Sequence, residues 1–400
     1  SIGQMLTRAW GPSALLGLCI LMAAHEGGAF SPSIVSSRVL AGSRGIEYSR
    51  AGATTLLRSP RKERRGVRSG VEAPRCSAGG FPTFLPEEMK EVEDPACIAM
   101  AGKLQIAPVA MPEEYANSDV GTCYARTEAS AGEGESVLLL LHGFDSSCLE
   151  WRRLLPELDA MGQEAWAVDI LGWGFTEREE SLVKTFSPEA KRAHLRSFIQ
   201  NVIKKPVVIV GASLGGTVAI DMALNHPDLV EKLVLVDAQG YIDGAAMTGQ
   251  PEFLQKLGVQ LLKSKPLRMF ANKIAYNDPD NFGTEDAMRI GRLHCLTGGW
   301  DNAMISFMNS GGYFLSERVK EVETETLVLW GRQDKILDPS QYAERFIEDM
   351  PSARLEWVEE CGHVPHLEKA RPMAQSLQKF LQAQAPAGQQ QPVARAASEQ

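Results

Sequence analysis

The sequence lacks most of the signatures that assign a protein at sight. Its seven cysteines, at 19, 76, 97, 123, 148, 295 and 361, are odd in number and never stand in a C-x-x-C spacing. Neither a disulfide framework nor a zinc site is therefore indicated. A phosphate-loop sequence, a metal-binding triad, a heptad run and an internal repeat are all missing, so no cofactor or metal ion is expected. The apolar run from Ala14 to Ala24 covers 11 residues, too short to span a bilayer. Basic charge is scarce in the body of the chain: residues 81–400 hold 30 Lys or Arg against 46 Asp or Glu, a balance of −16, while the whole chain stands at −9. An acidic body repels phosphate backbones, which excludes nucleic acid as an expected partner.

What is present is organised unevenly. Hydrophobic residues at 44% and charged residues at 23% are an ordinary globular balance, but the ends depart from it. Read from Met5, the chain opens with Arg8, the Ala14–Ala24 run and the small residues Gly27 to Ala29, the pattern of a signal peptide over 1–29. Phe30 follows. Residues 31–80 then hold 10 Arg or Lys against 3 Glu, with many Ser, Ala and Gly, a transit-peptide composition over 30–80. The two parts together resemble the plastid-targeting presequences of algae whose plastids are of secondary origin. The expected location is the plastid stroma; the alternative is a secreted or endomembrane protein with a basic propeptide. Residues 384–400, rich in Ala, Gln and Pro, cannot bury enough surface to offset ordering entropy, and a disordered tail is expected.

Between the ends, short β-rich runs alternate with helical ones. The runs "VLLLLHG" (137–143), "AWAVDILG" (165–172), "VVIVGAS" (207–213), "KLVLVDA" (232–238), "TLVLWG" (326–331) and "ARLEWVE" (353–359) are mostly apolar throughout, as strands covered on both faces require. Helical spacing appears in "CLEWRRLLPELDAMG", in "SPEAKRAHLRSFIQNVI" with Ser187 as N-cap, in "GTVAIDMALNHP" and in "ARPMAQSLQKFLQAQ". This alternation predicts an α/β domain over 119–383 with a doubly wound, mainly parallel sheet. Nearly ninety residues without a strand run separate "VLVDA" from "TLVLWG", too many for a loop. They predict a helical lid over about 240–320. The lead-in, 81–118, carries an acidic helical piece and prolines, and either packs on the body or merely leads into it.

One stretch within this frame carries chemistry. In "VVIVGASLGGTVAI", Ser213 stands in a G-x-S-x-G after a strand and before a helix. Gly211 and Gly215 lack side chains there because their neighbours approach too closely for a Cβ. A serine hydroxyl is a weak nucleophile until an imidazole takes its proton and a carboxylate orients that imidazole. Asp334 in "GRQDKILD" and His363 in "CGHVPHLE" follow in the order Ser, acid, His, each past a strand end. Asp237, ending "VLVDA", and Asp338 are competing acids. His366 makes an H-x-x-H pair with His363 but finds no third ligand, and reads as structural. In "LLLLHGFDSS", Gly143 lets the backbone turn so that the Phe144 N–H, together with that of Leu214, forms a pair of oxyanion donors. Asp169, Gly172 and Gly174 in "VDILGWGFTE" read as a structural loop beside them, not as a dinucleotide site.

From about Asp119 to Gln382 these motifs resemble the α/β-hydrolase fold family, in its esterase, epoxide-hydrolase-like and haloperoxidase-like group. "HGFDSSCLEWR", "GRLHCL", "FMNSGGY" and "CGHVPHLE" resemble more narrowly a branch of plastid-directed hydrolases of plants and algae. The resemblance implies the fold, the triad Ser213, Asp334 and His363, and the donors Phe144 and Leu214. A serine nucleophile departs from epoxide hydrolases and haloalkane dehalogenases, which use aspartate, and favours acyl chemistry. The expected activity is hydrolysis of a carboxylic ester through an acyl-enzyme, with thioester or C–C cleavage behind it. The partner is an apolar small-molecule ester lying under the Met- and Phe-rich lid. The rival is a non-hydrolytic receptor or scaffold on the same fold.

Overall fold

The computed structural model describes residues 80–245 and 248–383. The expected signal peptide, the targeting segment up to residue 79 and the tail lie outside the described residues.

Among the described residues eight strands form one sheet: β1 (Gln105–Val109), β2 (Val120–Arg126), β3 (Leu138–Leu141), β4 (Ala165–Val168), β5 (Val207–Ala212), β6 (Val230–Val236), β7 (Thr326–Gly331) and β8 (Ala353–Val358). Their order is β1-β2-β4-β3-β5-β6-β7-β8. The β1–β2 and β2–β4 pairs are antiparallel; every other pair is parallel. Unbroken apolar runs make the central strands because both faces are covered. In β3, Leu139 and Leu141 join one core with Leu195, Phe198 and Val218, while Leu138 and Leu140 join the opposite core with Leu154, Leu158 and Phe380. Each leucine so buried contributes about 1.5–3 kcal/mol.

The first core is covered by α3 (Pro188–Phe198), α4 (Leu214–Asn225) and α10 (Pro339–Asp349), the second by α1 (Pro95–Ala101), α2 (Leu154–Ala160) and α12 (Ala370–Gln382). Ser187 caps α3 by accepting the Ala190 N–H at 3.3 Å. Among the described residues between β6 and β7 lie five α-helices: α5 (Glu252–Leu262), α6 (Lys265–Ala275), α7 (Pro279–Phe282), α8 (Glu285–Arg292) and α9 (Trp300–Asn309). The short α11 (Pro365–Glu368) precedes α12. No helix among the described residues is long and apolar enough to cross a membrane.

The lead-in is part of the body. Met89, Val92, Cys97, Met100 and Leu104 are buried in the second core, and β1 supplies the sheet's edge strand. Asp286 of α8 accepts the Glu93 and Asp94 N–H groups at 3.0 and 2.7 Å, tying the lead-in to the insertion. Neither β1 nor β2 is an apolar run. Pro108 is tolerated in β1 because an edge strand needs no donor there, and Gly121 and Thr122 interrupt β2.

Candidate active site

The chain runs from β3 to β4 on one side and returns to β5 on the other, so the sheet order reverses between β3 and β5. Clefts form at the carboxyl ends of strands at such a reversal. The loop 142–147 leaves β3 there, and Ser213 leaves β5.

Ser213 has φ +50° and ψ −119°, a conformation disfavoured for a residue with a side chain. Its surroundings enforce it. The Ser213 N–H donates to Val236 O at 3.0 Å, and its carbonyl accepts the N–H groups of Gly216 and Gln239, each at 2.9 Å. A Cβ at Gly211 would stand 2.3 Å from Gly215 O, and one at Gly215 would stand 2.3 Å from Leu141 O. Backbone cannot give way as a flexible side chain can, so both positions are closed to any other residue.

Across the cleft, the His363 Nδ1–H donates to Asp334 Oδ2 at 2.7 Å. Asp334 Oδ1 accepts the Ile336 and Leu337 N–H groups at 2.7 and 3.0 Å. The His363 main-chain N–H donates to Ala275 O of α6 at 2.7 Å. Three donors therefore converge on one buried carboxylate, and the imidazole's other nitrogen is left for chemistry. Ser213, His363, Phe144 and Leu214 line one cavity of about 410 Å³, walled by residues of α6, α8 and α9. Leu214 is the first residue of α4, where an N–H has no intrahelical acceptor.

The other candidates go elsewhere. Asp338 is exposed and caps α10 through the Ser340 N–H at 3.0 Å. Asp237 is buried and accepts the Gly331 N–H at 2.9 Å. His366 Nε2 lies 2.9 Å from Glu150 Oε1, and its ring packs on Trp151. Asp169 accepts the N–H groups of Cys148 and Phe175, and a Cβ at Gly174 would fall 2.0 Å from its carboxyl carbon. Five described cysteines are buried free thiols. Burial pushes Cys97 up to about 12 and Cys123 up to about 11, so neither forms the thiolate a nucleophile requires.

Several supporting residues carry no motif of their own. His142 Nδ1–H donates to Gly143 O at 2.8 Å while its Nε2 accepts the Ile170 N–H at 3.1 Å, which fixes the Nδ1–H tautomer. Glu150 accepts the Gly143 N–H at 3.2 Å. Burial alone would raise Glu150, but contact with His366 outweighs it and brings the carboxyl down to about 2. Asp145, at φ +51°, accepts from Arg268, from His294 Nε2 at 2.9 Å and from Trp300 Nε1 at 2.8 Å. Burial disfavours its charge, yet Arg268 and then His294 and Trp300 hold it below the usual carboxylate range. The Phe144 ring stacks edge-on against Trp173 at 5.5 Å. The loop's position is thus set partly by nearby residues and, at Asp145, by partners more than a hundred residues distant in sequence.

Removing Arg268 leaves the buried Asp145 carboxylate without its ion-pair partner, held only by His294 and Trp300. Arg268→Met is expected to cost about 3–5 kcal/mol in denaturant unfolding. The double variant with Asp145→Leu should recover part of that loss, because no unpaired charge remains.

The comparisons with known proteins agree with this architecture. A family model described as "Alpha/beta hydrolase family" matches residues 138–376. The chain is 37% identical over 307 residues to the alpha/beta hydrolase domain-containing protein VTE7 of Arabidopsis thaliana, a match covering 76% of this chain and 92% of that one. It is 28% identical over 268 residues to a 2-hydroxy-6-oxononadienedioate/2-hydroxy-6-oxononatrienedioate hydrolase of Burkholderia vietnamiensis, covering 62% and 88%. Among solved structures, a meta-cleavage product hydrolase of Pseudomonas fluorescens superposes with TM-score 0.55 at 22% identity, covering 69% of this chain and 97% of that one. A thermophilic esterase of Thermogutta terrifontis gives 0.56 at 17%, covering 69% and 98%. At these identities the two structures bear on the fold alone. With the mainly parallel sheet, the strained turn after β5 and a family match over more than half its length, this chain belongs to the alpha/beta hydrolase family.

Proposed function

We propose that this hydrolase cleaves the carboxylic ester of a neutral, apolar small molecule through an acyl-enzyme. Ser213 attacks the carbonyl, His363 takes its proton and returns it to the leaving alcohol, Asp334 holds the imidazole, and the Phe144 and Leu214 N–H groups receive the oxyanion. Water then attacks the acyl-Ser213 ester by the same route in reverse. The observation that carries this reading is the 2.7 Å His363–Asp334 bond on the rim of the cavity that Ser213 also lines. Helices α5–α9 act as the lid.

Two observations support a neutral substrate. The cavity is lined by Phe144, Ile242, Ile274, Met288, Phe307 and Met308 among its apolar residues. Arg152 and Arg268 are the Lys or Arg residues in the lining, and each already faces a carboxylate, Asp94 at 3.1 Å and Asp145 respectively. A substrate carboxylate would have to break one of these pairs. The dioate named for the Burkholderia relative carries two such groups, so C–C cleavage of an acid of that kind is the weaker reading. Relationship to a plant protein and the two-part N-terminal composition support delivery to the plastid.

A panel of p-nitrophenyl esters of increasing acyl length tests the substrate class. Turnover per KM is expected to rise with chain length while the acyl group fills the cavity, each buried methylene adding about 0.8 kcal/mol at most. An ω-carboxylated ester of equal length should be at least about tenfold poorer, about 1.4 kcal/mol. Preference for the carboxylated ester would overturn the neutral-substrate assignment. A wild-type chain inert to every ester and to fluorophosphonates would favour the receptor reading instead.

A further inference from the structure

Asp237 follows β6 at φ +41°, where few residues with side chains are found, though Asp is among the better tolerated. It is pinned there: its N–H donates to Leu329 O at 3.0 Å, and its Oδ1 accepts the Gly331 N–H at 2.9 Å. The residue is fully buried, and its Oδ2 meets no donor. An oxygen of Asp237, an oxygen of Asp334 and a ring nitrogen of His363 lie within 4.8 Å of one another. Glu368 and the Cys361 thiol are the other titratable groups near it, and Glu368 is itself occupied by the N–H groups of Gly362, Asn277 and Asp278.

Two carboxylates this close in a dry site cannot both carry charge. The donors decide which is neutral. Asp334 receives two backbone N–H groups and His363; Asp237 receives one. We propose that Asp237 is a carboxylic acid rather than a carboxylate, and that its Oδ2–H donates to Asp334, fixing the carboxylate that in turn fixes His363. This gives the unpartnered oxygen a proton to donate, in a site where an Asp237 oxygen and an Asp334 oxygen lie within 4.8 Å. Burial first, and then the Asp334 charge, push the Asp237 carboxyl well above its usual range. Asp237 is a positioning residue, and that part of the inference rests on the reading of Asp334 and His363 given above.

The protonation state has a signature independent of catalysis. A folded chain that keeps a proton the unfolded chain releases is most stable below the unfolded value, about 3.9, and loses stability as pH rises toward the folded value. Asp237→Asn removes that loss. In the full chain, the Tm of Asp237→Asn minus that of wild type is expected to widen from about pH 5 to about pH 8. A gap that is flat or narrows over that range means an ionised Asp237 and overturns the proposal. For positioning, the rate of fluorophosphonate labelling should fall about tenfold or more in Asp237→Ala, and Asn, whose amide can donate the same bond, should restore it to within about threefold of wild type. Asn as slow as Ala would overturn the positioning role. If Ala does not fold, the Asn variant alone decides: a labelling rate more than about tenfold below wild type overturns the role, and a smaller loss supports it. A wild-type chain that never labels would sink the catalytic reading while leaving the Tm gap to report on Asp237.

Discussion

Ser213→Ala is expected to abolish fluorophosphonate labelling and to lower ester turnover by about 10⁶-fold, with the fold intact. The size follows from covalent catalysis: without the hydroxyl, His363 has no oxygen to activate, and what is left is binding and oxyanion stabilisation, worth about 10³- to 10⁴-fold over water. The fold should survive because the turn is held by the glycines at 211 and 215 and by backbone bonds of residue 213, none of which involves its side chain. Circular dichroism and an unchanged Tm are the controls.

The second large effect is at Asp334. Asp334→Asn should lower turnover by about 10⁴-fold, and the hydrogen bonds around it say why. One oxygen must remain to accept the Ile336 and Leu337 N–H groups, so the new amide nitrogen takes the place of Oδ2, facing His363 Nδ1. An N–H there demands an acceptor, which moves the imidazole proton to Nε2. The nitrogen that should receive the serine proton is then already protonated. Asp237→Asn forces no such change, since Asp237 makes no bond to the imidazole. Steady-state kinetics on the two variants separates the acids, and a larger loss at residue 237 than at 334 would reverse their roles.

How much of this could be read from the chain alone depends on whether the signal was local. Strands β3, β5, β6 and β7 stand out because burial on both faces writes an uninterrupted apolar run, and the Ser187 cap stands out because it acts within three residues. β1 and β2 do not, since an edge position permits Pro108 and a hydrogen-bonded Thr122 replaces an apolar residue. Ser213, Asp334 and His363 are each conspicuous at a strand end, and the motif and the family resemblance favour Asp334 over Asp237, but the physical reason is not local. That distinction lies in which carboxylate meets three donors. The supports of the 142–147 loop are less legible still. Asp145 meets Arg268, His294 and Trp300 only through the tertiary fold, and Glu150 and His366, more than two hundred residues apart, likewise come together only there.

Peptide mapping by mass spectrometry of the full chain after fluorophosphonate treatment is the most direct measurement of all. The expected result is a single stoichiometric adduct on the peptide containing Ser213. An unmodified Ser213 peptide, or an adduct on another residue that persists in Ser213→Ala, would contradict the assignment of this serine as the nucleophile.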